Sequence, residues 1–287
     1  MWQRSTIQLL RFPFSFLLLP VYLFALSQAL YTNWTDAVVV FFILHLLVFP
    51  ASNGYNGYMD RDTGPVGGIR QPLPPTPALL KLVNAMDLLA VLLSLLVTPW
   101  FALGVLVYIA ASRAYSSRKI RLKQYAWSGF LLVVLCQGAL VFALVYHGVH
   151  LRHPAQVPLT GCIASSLLLG GAYPLTQVYQ HRQDAADGVN TISRRLGIRG
   201  TFVFSAFLFN AAFLALGLHF GLQLELNRFG YLLLFFLPVG VYFFAWARKV
   251  WKNPAAADYD HLMRMNWISA ICSNAGFLFI LIWKLLD

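Results

Sequence analysis

Long apolar stretches recur along this chain, and read against polar and Pro/Gly breaks they predict spans at 9 to 30, 36 to 58, 79 to 97, 100 to 113, 125 to 147, 157 to 177, 201 to 220, 230 to 247 and 267 to 285. Most approach the roughly 20 residues that a helix needs to cross a hydrocarbon core. They are too long and continuous for the alternating strands of a barrel, so helices are what satisfies the backbone in lipid. With 59% hydrophobic and 11% charged residues, a soluble fold is excluded as well. The expectation is an all-α polytopic membrane protein, a nine-helix bundle in which residues 1 to 287 form a single membrane domain. Pro13 and Pro20 should kink the first span, and Pro99 should make the corner between the third and fourth. The run from Leu9 to Leu30 is too long for a cleaved signal and lacks a small-residue cleavage site. Cys136, Cys162 and Cys272 lie inside apolar stretches, without metal or redox spacing, and read as packing residues.

Threading the 21 Lys and Arg residues through this alternation puts 18 on one side and leaves only Arg152, Arg228 and Lys284 opposite. By the positive-inside rule the N-terminus and the basic loops face the cytoplasm and Asp287 lies outside, as in a bacterial-type inner membrane. The net charge of +11 is therefore first a topology signal. It does not point to nucleic acid, because no soluble basic domain is present to carry it, and no obligatory protein partner is implied.

The carboxylates Asp60, Asp62, Asp184 and Asp187 cluster just past the second and sixth spans, on the basic face. Asn56 and Asp60 stand at i, i+4, which puts both oxygens on one helical face, and Gln180 and Asp184 repeat that spacing four spans later. The repetition suggests a duplicated four-helix unit with an added ninth helix. Faces rich in side-chain oxygen and poor in sulfur or imidazole suit Mg²⁺ shared with substrate phosphates. Arg61, Arg70, Arg118, Lys119, Arg121, Lys123 and Arg182 would stabilise a bound or departing diphosphate. Asp258 and Asp260 read as solvated loop acids. Asp87, with Asn84 before it, is costly inside a span unless paired or in a wet cavity, and reads as a group facing the mouth. His45 reads as a core histidine. Arg11 has two readings, a reach to the diphosphate or snorkelling to headgroups. Tyr173 and Gln177 precede Gln180 at helical spacing and should face the same cavity.

These residues resemble the UbiA superfamily of intramembrane prenyltransferases over nearly the whole chain. The family's Asn-Asp-x-x-Asp-x-x-x-Asp motif is similar to Asn56-Gly-Tyr-Met-Asp60-Arg-Asp62-Thr-Gly64, followed by Arg70-Gln-Pro72-Leu-Pro74. Its Asp-x-x-x-Asp motif is similar to Gln180-His-Arg-Gln-Asp184, with Gly188-Val-Asn-Thr191 and Leu196-Gly197 after it. Tyr115-Ser-Ser-Arg-Lys119-Ile-Arg-Leu-Lys123 resembles the Tyr-Ser and Leu-Lys signature between the fourth and fifth helices. Three expected carboxylates are replaced, by Gly57, Gly64 and Gln180, and Asp62 and Asp187 are placed to compensate.

The resemblance implies Mg²⁺-assisted transfer of an isoprenyl group from a prenyl diphosphate to a lipophilic or aromatic acceptor within the bilayer. Asn56, Asp60, Asp62, Gln180, Asp184 and Asp187 would hold the metal, with Asn56, Asp60 and Asp184 central to catalysis. Arg61, Arg70, Lys119, Lys123, Arg182, Tyr115, Tyr173 and Gln177 would bind the diphosphate. Two alternatives stay open: a terpene cyclase of the same fold, and a non-catalytic carrier of prenyl lipids.

Overall fold

A computed structural model of the chain describes residues 4–286. The placement of Asp287 concerns a residue outside that range. The helices are α1 (Arg4–Leu17), α2 (Leu19–Gln28), α3 (Trp34–Asp60), α4 (Pro77–Ser94), α5 (Pro99–Ser116), α6 (Ala126–Val149), α7 (Leu159–Ala186), α8 (Ile192–Leu222), α9 (Leu226–Lys252) and α10 (Tyr259–Leu286). Among the described residues there is no strand, only two isolated bridges.

The helix ends follow the local chemistry. Asn33 caps α3 by accepting from the backbone N–H groups of Thr35 and Asp36 at 3.1 and 3.3 Å. Thr98 caps α5 by accepting from Phe101 N at 2.9 Å, and Pro99 follows it, as the expected corner requires. α1 and α2 meet at 42°, the kink expected of Pro13 and Pro20, with Arg11 in the left-handed region at φ 50°. α3 and α6 each contain a π-helical segment, Phe42–Val48 and Leu135–Leu140.

Among the described residues seven helices are long and apolar enough to cross a membrane, or eight when the bent pair α1–α2 is taken as one span. By length and composition the expected count of nine is therefore not confirmed. The shortfall is α5, whose 18 residues run to a polar end at Arg113, Tyr115 and Ser116. α5 nonetheless passes from one end of the bundle to the other. Its first turn meets His147 through Thr98, at 2.8 Å, and its last turn meets Asn56 through Ser116, at 3.0 Å.

The bundle closes on itself because α10 packs against both α9 and α2, while α7 and α8 form its most extensive pair. Small residues let these helices approach. A Cβ added at Gly138 would lie 2.5 Å from Ser166 Cα, so Gly138 is where the backbones of α6 and α7 touch. Gly138→Ala should lower stability by about 1–3 kcal/mol, read as a fall in thermal unfolding temperature in detergent; an unchanged temperature would refute the close contact.

One end of the bundle gathers the segments around Tyr31, Leu151, Glu225 and Lys284. Leu151 N bonds Tyr31 O at 2.8 Å, and Lys284 Nζ donates to Ala29 O. Arg152, stacked on Tyr31, and Arg228, paired with Glu225 and stacked on Trp283, belong to this end. The motif loops lie at the other end. Just inside the first end, Phe24 packs against Phe142 and Phe277, with ring centroids 5.0 and 4.8 Å away, and seals the interior.

Candidate active site

Within the bundle lies a cavity of about 500 Å³. Its mouth is polar and its interior apolar, running past Phe209, Phe236 and Phe243 to Phe24 and Phe277. The mouth is built where α3 ends. Asn56 Nδ2 donates to Asp60 Oδ2 at 2.8 Å, which realises the i, i+4 geometry, and also reaches Ser116 Oγ at 3.0 Å. Arg61 at φ 52° then stops the helix. Its side chain is exposed and does not line the cavity.

Lys123 enters from the turn Leu122–Gln124 and places Nζ 2.5 Å from Asp60 Oδ1. The two side chains are only 12% and 6% exposed, so this is a buried ion pair inside the mouth. Asp62 follows in the loop after α3 and accepts from Gln183 Nε2 at 2.5 Å. Burial first, then the neighbouring Asp60 charge, push its carboxyl up to about 6; Lys123 and Arg11 oppose that shift.

The opposite wall is the end of α7, which tightens into a 3₁₀ segment over Tyr173–Gln180. Three residues per turn present Tyr173, Thr176 and Tyr179 on one row and Gln177 and Gln180 on the next, and all five line the cavity. Tyr173 and Tyr115 join by their hydroxyls at 2.6 Å. Asp184 accepts from Thr191 Oγ1 at 3.3 Å, and Thr191 also caps α8. Gly188, at φ 68°, makes the reversal by which Val189 N returns to Asp184 O at 2.8 Å. Gly197, at φ 70°, sits at a kink inside α8.

Thus Asn56, Asp60, Asp62, Tyr115, Lys123, Tyr173, Gln177, Gln180 and Asp184 converge on one cavity. Arg11 joins them in the lining; its guanidinium reaches Asn53 O and Gly67 O, each at 3.4 Å, and Asn56 Oδ1 at 3.5 Å. Other expected residues stand elsewhere. Asp187 pairs with Arg121 and Arg118 and is not part of the cavity lining. Arg70 pairs with Asp260 on the surface, and Lys119 and Arg182 are exposed. Asp87 does not face the mouth either: it pairs with Arg113, whose guanidinium lies 3.9 Å over the Tyr55 ring. His45 is a buried core residue, as expected, stacked on Phe41 at 4.7 Å. Asp258 binds His261 at 3.0 Å. The sequence reading missed Asn53, Ser116, Tyr179 and Gln183. Of these only Ser116 was legible in principle, through its place beside Tyr115.

Among the described residues no three His, Cys, Asp or Glu side chains lie close enough to form a complete metal cage. The oxygen donors at the mouth fit a cation that takes one or two carboxylates and completes its shell with substrate phosphates, the habit of Mg²⁺.

The UbiA prenyltransferase family model matches residues 17–270. The chain belongs to the UbiA prenyltransferase family. No curated protein sequence matches it. Its fold resembles that of a UbiA homologue from Archaeoglobus fulgidus bound to DMAPP and Mg²⁺, with TM-score 0.68 and 18% identity over 96% of this chain and 99% of that one. The same homologue bound to GPP and Mg²⁺ gives TM-score 0.66 at 18% identity over the same shares. A digeranylgeranylglyceryl phosphate synthase gives 0.64 at 16% identity over 99% of both chains. At these identities the likeness is one of fold. This UbiA family member is a multi-pass integral membrane protein by its apolar helices and its family.

Proposed function

We propose that this UbiA family member transfers an isoprenyl group from a prenyl diphosphate to a lipophilic or aromatic acceptor inside the membrane. The observation that carries this reading is the single cavity whose charged mouth continues into a long aromatic interior. A diphosphate and its apolar tail need those two environments in that order. The structural neighbours bound to DMAPP or GPP with Mg²⁺ support the same substrate class.

Asn56, Asp60, Asp62 and Asp184, with the side-chain oxygen of Gln180, would hold Mg²⁺. Bound there, Mg²⁺ supplies Lewis-acid polarisation of the diphosphate oxygens. Lys123 and Arg11 place positive charge where the diphosphate departs. The Tyr115–Tyr173 pair, joined through its hydroxyls, leaves one hydroxyl proton to donate beside it. The apolar interior excludes water from the allylic cation, and the faces of Phe209, Phe236 and Phe243 stabilise it by cation–π attraction. The C1–O bond breaks as the diphosphate leaves, and the acceptor then forms its bond to the prenyl C1 and gives up the proton it carried, which the departed diphosphate can take.

Mass spectrometry of membrane lipids with and without the protein, given prenyl diphosphates of several lengths, tests this. A prenylated acceptor is expected. A cyclic hydrocarbon formed without acceptor would instead indicate a terpene cyclase, and recovery of unchanged diphosphate would indicate a carrier.

Because burial and the neighbouring Asp60 charge push the Asp62 carboxyl up to about 6, a metal held there would compete with its proton. The Mg²⁺ concentration for half-maximal turnover should be flat above pH 7 and rise up to about tenfold per unit below 6. A flat profile down to pH 5 would remove Asp62 from the metal site. The 18 to 3 charge split supports a mouth that faces the cytoplasm, as in a bacterial-type inner membrane. Membrane-impermeant labelling of cysteines introduced at Thr63 and Asn227 should find them on opposite sides, with Thr63 inside; the reverse result would invert the orientation.

A further inference from the structure

Two glutamines cross from the second motif segment to the loop that carries the first. Gln180 Nε2 donates to Pro65 O at 3.2 Å, and Gln183 Nε2 donates to Asp62 Oδ1 at 2.5 Å. Only an amide at 180 can make the first contact, because a carboxylate there has no proton to give to a carbonyl. Gly64 leaves room for the second contact: a Cβ at that position would lie 2.9 Å from Gln183 Oε1, so the end of that side chain would have to shift. Gly64 and Gln180 are two of the three positions where the family resemblance leads one to expect aspartate. The two departures thus serve neighbouring contacts, Gln180 providing the donor to Pro65 and Gly64 the room for Gln183. Directly after the two contacts the loop folds back on itself, with Val66 N to Ile69 O at 2.9 Å and Ile69 N to Val66 O at 2.7 Å. Asp62, Val66 and Gly67 of this loop line the cavity.

We propose that Gln180 and Gln183 are positioning residues that clamp the Asp62 loop onto the end of α7 without metal, joining the two motif segments through neutral amides. The loop is then already in place at the mouth before any divalent cation arrives, and a cation is needed for the diphosphate rather than for assembly of the site. This deepens the proposed prenyl transfer, but it concerns the chain alone and is testable apart from turnover.

The test is hydrogen exchange at the Val66 and Ile69 amides of the full-length protein in detergent, with EDTA and with Mg²⁺. In the wild type, both amides should be equally protected in the two conditions. Gln180→Glu keeps the shape and an oxygen but removes the donor, so exchange in EDTA should rise about fivefold, the effect of one lost hydrogen bond. Gln183→Leu and Gly64→Ala should do the same, with the thermal unfolding temperature unchanged. Wild-type protection that appears only when Mg²⁺ is added would overturn the clamp, and so would exchange unaltered in all three variants. The wild-type comparison needs no variant to fold. Protection in EDTA without any prenyl transfer would sink the functional reading and leave the clamp standing; transfer with Mg²⁺-dependent protection would do the opposite.

Discussion

Asp60→Ala and Asp184→Ala will each lower prenyl transfer by at least about two orders of magnitude, and EDTA will do the same to the wild type. Asp60 holds two parts of the mouth together, since its oxygens meet Asn56 on the same helix and Lys123 from the turn before α6. Asp184 brings the opposite wall, fastened by Thr191. Initial rates of product formation over a Mg²⁺ titration, with membrane-extracted protein checked by its thermal unfolding, separate lost chemistry from lost fold. Asp60→Asn keeps the partner of Asn56 and removes only the charge, so it should be nearly as inactive. Asp187→Asn is the contrasting case. Its carboxylate is taken up by Arg118 and Arg121 away from the cavity, and its Mg²⁺ titration should superimpose on that of the wild type. Turnover that survives both alanine variants and chelation would overturn the metal–diphosphate reading.

The second large effect is on stability. Asp87 and Arg113 form an ion pair between α4 and α5, with side chains 14% and 23% exposed, and Arg113 also covers Tyr55 on α3. Removing one partner leaves the other charge in a medium that cannot solvate it, at a cost of about 3–5 kcal/mol. Arg113→Leu alone should therefore lower the thermal unfolding temperature sharply. Asp87→Leu combined with Arg113→Leu should recover most of it, because two leucines need no partner. Equal losses in the single and double variants would show that the pair contributes packing rather than charge compensation. Since neither residue lines the cavity, the double variant should keep its prenyl transfer.

Much of the site follows from local chain geometry. The i, i+4 spacing of Asn56 and Asp60 translates directly into a hydrogen bond, because helical periodicity sets it before any packing occurs. Tyr173, Gln177 and Gln180 reach the cavity as helical spacing expects, although the segment tightens to 3₁₀ and brings Tyr179 in with them. The cations were less legible. Seven basic residues lie near the two motifs in sequence, yet of these only Lys123 enters the mouth, because a long flexible side chain goes to whichever carboxylate the fold places within its reach. Arg121 and Arg118 meet Asp187, and Arg70 meets Asp260, 190 residues away.

By itself the sequence determined that this chain is a helical membrane protein of the UbiA family, that its polar residues gather at one end, and which short segments carry them. Hydropathy, charge asymmetry and motif spacing are local or additive properties, and they survive without knowledge of contacts. Only the tertiary structure decided which of those residues share a cavity. It turned Asp87 to Arg113 and Asp187 to the arginines, drew Arg11 in from the first helix, and set Gln180 and Gln183 against a loop more than 100 residues earlier. Such pairings depend on how helices distant in sequence are brought side by side in space, and a buried charge or amide takes the partner that this arrangement supplies.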